Sequence, residues 1–138
     1  MKTYYKTDNT TLYHGDSLEL LKKIDDNSID LIFSDPPYFL SGDGITCQNG
    51  KMVSVNKGDW DKIDTYKEIG LFNEIWLKEC QRILKPNGTI WISGTHHNIY
   101  SVGNIMKVMG YKFLNVVTWE KPNPPPNLSC RYFTHSTE

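Results

Sequence analysis

The chain has 138 residues, with 15 Lys and Arg against 16 Asp and Glu and a formal net charge of −1. Its 38% hydrophobic and 12% aromatic content suits one packed core and excludes a disordered chain. No apolar run approaches the roughly 20 residues of a membrane span, no secretory leader precedes TLYH, and Cys47, Cys80 and Cys130 lack CxxC spacing, which points to a soluble protein of the reducing cytoplasm.

Thr11–His14 reads as a short strand ending at Gly15. Asp16 or Ser17 can cap a following helix with Leu18, Leu21 and Ile24 on one face. Asp26-Asn27 form a turn, and Ile29–Phe33 (IDLIF) reads as a buried parallel strand that runs into Ser-Asp-Pro-Pro-Tyr. The glycine-bearing segment 39–63 has no sustained period and reads as a long loop, a feature that is usually functional or disordered. A helix is predicted from Thr65 to Leu84, with apolar positions stepping by three and four. Lys85-Pro86-Asn87-Gly88 should break it before a strand over Thr89–Ser93. A helix over Asn98–Met109 ends at Gly110, and Lys112–Trp119 reads as a last strand stopped by the PNPPPN run. Strands alternating with helices predict a doubly wound α/β sheet, whose ligands bind at the carboxyl ends of the strands. Gly15-Asp16 and Asp35–Tyr38 fall at two such ends.

Asp35-Pro36-Pro37-Tyr38 is the strongest chemical signal. Asp35 supplies an accepting carboxylate. Pro36 and Pro37 have no N–H, so the segment presents carbonyls on a stiff backbone. Tyr38 adds a flat ring on which a planar base can stack. Two rigid acceptors suit an amine with two hydrogens, and binding both would localise the nitrogen lone pair and make it nucleophilic. A proline-rich strand exit with an exposed acid and a packed tyrosine is the plainer alternative. Between Val102 and Thr137 four basic residues face one acid, a charge of +3 that leaves −4 for the remainder. A polyanion partner or an ordinary solvated face would both account for that bias.

These residues, together with LYHGDSLELL, IDLIFSDPPY, ECQRILKPNGTIWISG and VVTWEKPNPPPN, resemble the N-terminal portion of a DNA amino-methyltransferase. The family is that of restriction–modification systems, in the permuted β class with DPPY ahead of the cofactor glycines. The resemblance implies an incomplete doubly wound, Rossmann-like methyltransferase fold, with 1–138 as part of one catalytic domain and 39–63 as a loop closing over DNA. It implies S-adenosylmethionine as cofactor, no metal, and double-stranded DNA as partner. Adenine N6 is the implied target, since DPPY leans toward adenine and SPPY toward cytosine; cytosine N4 is the alternative. Asp35 and Pro36, with Pro37, would hold the amine and Tyr38 would stack on a flipped base. Asp16 and Ser17 would join Asp35 in the cofactor site, although a simple helix cap explains Asp16 equally well. Lys57, Trp119, Lys121, Asn123 and Arg131 would meet DNA, with a solvated loop the alternative for Lys57 and a core position for Trp119.

No strand followed by an FxGxG-like turn is found. Ser41-Gly42-Asp43-Gly44 precedes no helix, and the 34 residues before Asp35 leave no room for the motif upstream. The expectation is therefore a fragment, completed by a C-terminal piece or a homodimer, or else a truncated remnant without catalysis. The related NPPY enzymes acting on protein glutamine or ribosomal RNA place the cofactor motif first and so fit poorly. His96-His97 read as surface or helix-start residues rather than a metal pair, with His14 and His135 standing alone.

Overall fold

The computed structural model describes residues 2–41, 45–49, 51–63, 65–124, 126, 131 and 133–138. Gly42–Gly44, Gly50, Asp64, Pro125, Asn127–Cys130 and Tyr132 lie outside that set, and with them most of the SGDG stretch and part of the PNPPPN run. The chain falls into two compact units, one of Met1–Ser34 with Glu74–Trp91 and one of Asp35–Asn73 with Ile92–Glu138.

The first unit opens with a hairpin that the sequence did not suggest. Strand β1 (Thr3–Lys6) pairs antiparallel with β2 (Thr11–Tyr13), closed by Thr7 N donating to Thr10 O at 2.8 Å. Asp16 caps helix α1 (Ser17–Leu21), its Oδ1 accepting from the amides of Leu18 (2.8 Å) and Glu19 (3.4 Å). The helix stops before Ile24, shorter than its apolar spacing suggested. Arg82 terminates it, donating at 2.9 Å to the carbonyls of Leu21 and of Ile24 and pairing with Asp26 and Glu79.

Strand β3 (Ile29–Ser34) forms where expected and lies beside β6 (Leu84–Ile92), but it is not the buried strand the apolar run suggested: Leu31 and Phe33 are exposed. The helix before Lys85-Pro86-Asn87-Gly88 ends at Ile83, as expected, but that segment is already part of β6, which starts at Leu84 rather than Thr89. A two-stranded sheet has a free edge, where a proline without an N–H costs no ladder bond. Gly88 is required because a Cβ there would stand 3.1 Å from the Ile29 carbonyl oxygen and 2.9 Å from Leu84 Cδ2. Helix α2 (Tyr66–Ile83) begins at a reciprocal cap, Thr65 Oγ1 accepting from Glu68 N (3.2 Å) and donating to Glu68 Oε2 (2.7 Å). Its later turns supply the core of this unit: Trp76, Leu77, Cys80 and Ile83, followed by Leu84. Burial, and then the neighbouring Glu79 charge, push the Cys80 thiol up to about 12.

In the second unit the expected loop 39–63 contains an antiparallel hairpin, β4 (Ile45–Gln48) with β5 (Lys51–Ser54), and a 3₁₀ turn over Asp59–Asp61. Helix α3 (Ile99–Val108) ends at Gly110, whose φ of +84° suits glycine, with Tyr111 N donating to Met106 O at 3.0 Å. The strand expected over Lys112–Trp119 does not form. Among the described residues no strand pairs with Lys112–Thr118. Pairing begins only at Trp119–Lys121, which exchange backbone bonds of 2.7–2.9 Å with Ser136–Glu138. The described architecture is a small α/β assembly of three two-stranded sheets, two of them antiparallel, rather than one doubly wound parallel sheet.

Candidate active site

Asp35 follows directly from β3, and Ser93 follows β6. Both belong to the second unit, and they meet: Ser93 Oγ donates to Asp35 Oδ1 at 2.6 Å. Tyr38 OH donates to the same oxygen at 2.7 Å. These two bonds, helped by the Lys57 charge, hold the Asp35 carboxyl below the usual carboxylate range, so it is ionised at neutral pH. With Oδ1 taken twice, Oδ2 has no hydrogen bond among the described residues.

The backbone of the tetrapeptide is anchored from below. Asn98 is buried, and its Nδ2 donates to the Pro37 carbonyl at 2.9 Å. Its Oδ1 accepts from Asn73 Nδ2 at 2.7 Å, and that same Nδ2 reaches Ser101 Oγ at 3.1 Å. Asn98 precedes α3 but does not cap it, because its side chain is spent on Pro37. The Pro36 carbonyl takes no hydrogen bond among the described residues. Asp35 Oδ2 and Pro36 O are thus acceptors of this segment that take no hydrogen bond among the described residues.

Tyr38 is half-buried. Burial, and the Asp35 carboxylate that its hydroxyl faces, push its phenol up to about 12, so it remains a donor. Lys57 Nζ lies 5.5 Å from the centre of the Tyr38 ring, a cation–π distance. Phe39 is packed edge-to-face on Phe72, with centroids 5.5 Å apart.

Of the other expected site residues, Asp16 and Ser17 belong to the first unit and Lys57, Trp119, Lys121, Asn123 and Arg131 to the second. Asp16 caps α1 through Oδ1 alone, and Ser17 beside it is exposed. Trp119 is 64% exposed and so is not a core residue. Lys121 pairs with Glu138 and lies 5.4 Å from the Trp119 ring centre. Asn123 and Arg131 are exposed. His135 does not stand alone: its ring centre is 4.2 Å from that of His96, which is 3.9 Å from that of His97. Burial and mutual repulsion keep His96 and His97 below the ordinary imidazole value. His14 likewise has a neighbour, the Tyr4 ring.

The tetrapeptide thus carries an ionised aspartate bonded to its own tyrosine hydroxyl, next to a proline carbonyl. The chain belongs to the DNA methylase family, whose model matches residues 29–138. Among curated proteins it is 57% identical over 137 residues to Type II methyltransferase M2.LlaDCHI of Lactococcus lactis subsp. cremoris, which covers 99% of this chain and 51% of that protein. It is 55% identical to Type II methyltransferase M2.DpnII of Streptococcus pneumoniae, with 99% and 51% covered, and 54% identical to M2.MboI of Moraxella bovis, with 100% and 51% covered. The chain spans about half the length of these relatives.

Proposed function

We propose that this chain carries the target-amine pocket of a cytoplasmic restriction–modification DNA methyltransferase that methylates adenine N6 in double-stranded DNA. The observation that carries this reading is the acceptor pair Asp35 Oδ2 and Pro36 O, set beside the Tyr38 ring. The pair accepts both hydrogens of an exocyclic amine and so returns the nitrogen lone pair from the ring to the reacting atom. Asp35, held ionised by Ser93 and Tyr38, draws off the positive charge that grows as the new N–C bond forms. Tyr38 stacks on the extruded base, offsetting part of the few kcal/mol, roughly, that extrusion costs.

When bound, S-adenosylmethionine supplies an electrophilic methyl group on a sulfonium sulfur. The residues present fit its adenosine part: Asp16 spends Oδ1 on the helix cap and keeps Oδ2 for a hydroxyl or amine donor, with the Ser17 hydroxyl beside it. Lys57, Trp119, Lys121, Asn123 and Arg131 are assigned to the DNA. The half-length coverage of the relatives supports completion by a further piece, in cis or as a second chain.

The test is Asp35→Ala in the full-length protein, with duplex DNA and labelled S-adenosylmethionine. Loss of one transition-state hydrogen-bond partner costs about 2.7–4 kcal/mol, so methyl transfer falls roughly 100- to 1000-fold while DNA affinity is retained. Near-normal turnover would remove Asp35 from the chemistry. For the DNA contacts, replacing Lys57, Lys121 and Arg131 should flatten the log–log salt dependence of binding by about 0.9 per lost phosphate contact. An unchanged slope would return these residues to the solvated surface.

A further inference from the structure

Asp61 is fully buried, and no Lys, Arg or His among the described residues pairs with it. Its charge is met by donors from the segment leaving the tetrapeptide. Oδ1 accepts from Phe39 N at 2.8 Å. Oδ2 accepts from Leu40 N at 3.2 Å, Ser41 N at 3.0 Å and Ser41 Oγ at 2.7 Å. Three successive amides converge on one anion because Phe39 adopts a φ of +55°, a left-handed conformation that a bulky residue holds only when its surroundings impose it. Gly58, at φ +122°, makes the turn that returns Asp61 to this point. Ser41 Oγ in turn accepts from Lys57 N at 2.7 Å, and Lys57 is the residue whose ammonium lies over Tyr38.

We infer that Asp61 is a positioning residue for the amine pocket: its carboxylate locks the exit of Asp35–Tyr38 and, through Ser41, sets Lys57 over the Tyr38 ring. This rests on the methyltransferase reading above. The carboxylate is used only as an acceptor, so Asp61→Asn is a near-isosteric probe. Whichever way the new amide turns, its NH₂ faces N–H or O–H donors.

Two measurements on the full-length protein test it. Amide hydrogen exchange at Phe39, Leu40 and Ser41 should be slow in the wild type and accelerate at least tenfold in Asp61→Asn. Single-turnover methyl transfer, normalised to folded protein, should fall tenfold or more, with DNA and S-adenosylmethionine Kd changed less than threefold. A purely structural role would lower the folded fraction and leave the normalised rate intact, which would overturn the inference. If Asp61→Asn does not fold, Ser41→Ala removes only the hydroxyl link, and an unchanged rate there also overturns it. A wild type that transfers no methyl group would sink the underlying function, whereas fast wild-type exchange at residues 39–41 would sink the clasp itself.

Discussion

Two hydroxyls converging on one oxygen of Asp35 give the residue-scale chemistry a measurable pH signature. Tyr38 has two separable parts, a ring beside the acceptor pair and a hydroxyl bonded to Asp35. Tyr38→Ala removes both, and a lost ring–base stack alone is worth about 1–3 kcal/mol. Tyr38→Phe keeps the ring, so at neutral pH its methyl-transfer rate should stay near wild type. Its acid limb should move to higher pH, because Asp35 loses one of the donors that hold its carboxyl low. The same signs apply to folding. The lowered Asp35 value contributes stability above its unfolded pKa of about 3.9, lost as pH falls through the folded value. The raised Tyr38 value contributes stability below its unfolded pKa of about 10, lost as pH rises through about 12. Equal loss of rate at neutral pH in Tyr38→Ala and Tyr38→Phe would assign the role to the hydroxyl. The tetrapeptide itself was legible in the sequence, since strand, acid, prolines and ring are contiguous. Ser93, Asn98, Asn73 and Asp61 were not. Each is an ordinary polar residue whose role arises only when distant segments fold back to the end of β3.

At the scale of elements, helices were legible where apolar spacing and caps agreed, as in α2 and α3, and misjudged where a tertiary partner decides the end. Helix α1 stops at Leu21 because Arg82, far along the chain, takes the carbonyls of Leu21 and Ile24. Residues 112–119 have strand composition, but a strand also needs a neighbour to pair with. Helix α2 ends at Ile83, just ahead of Lys85–Gly88, as proline and glycine suggest, yet that segment is itself strand, since at the edge of β6 neither property is penalised. Two glycines allow a paired test of that account. In Gly88→Ala the new methyl meets the backbone oxygens of Ile29 and Lys85, both at 3.1 Å, and Leu84 Cδ2 at 2.9 Å. The variant should lose about 1–3 kcal/mol in denaturant unfolding of the full-length protein. Gly70 lies within α2 with nothing within 4 Å of its missing Cβ. Gly70→Ala should gain up to about 1 kcal/mol from helix propensity. A tolerated Gly88→Ala would show that β6 does not need this close approach.

For the molecule as a whole, the apolar surface that stays uncovered is the main constraint. Leu31 and Phe33, two apart on β3, are 56% and 73% exposed, and Val116 and Val117 are 88% and 68% exposed. On a strand, alternating residues such as Leu31 and Phe33 are normally covered by a second layer. The relatives are about twice as long as this chain. Residues 1–138 alone should therefore melt at low temperature or without a sharp transition, bind S-adenosylmethionine weakly and transfer no methyl group. Addition of the remaining half, in cis or as a second chain, should restore all three. A cooperative melt with methyl transfer by residues 1–138 would overturn this. Cys80 offers a built-in gauge of the outcome. A thiol that is 3% exposed and pushed up to about 12 is neither reachable nor ionised in the closed state. With Cys47 and Cys130 replaced by serine, its alkylation rate becomes a clock for opening of the first unit's core, running fast in the isolated chain and slowing as the missing half is supplied.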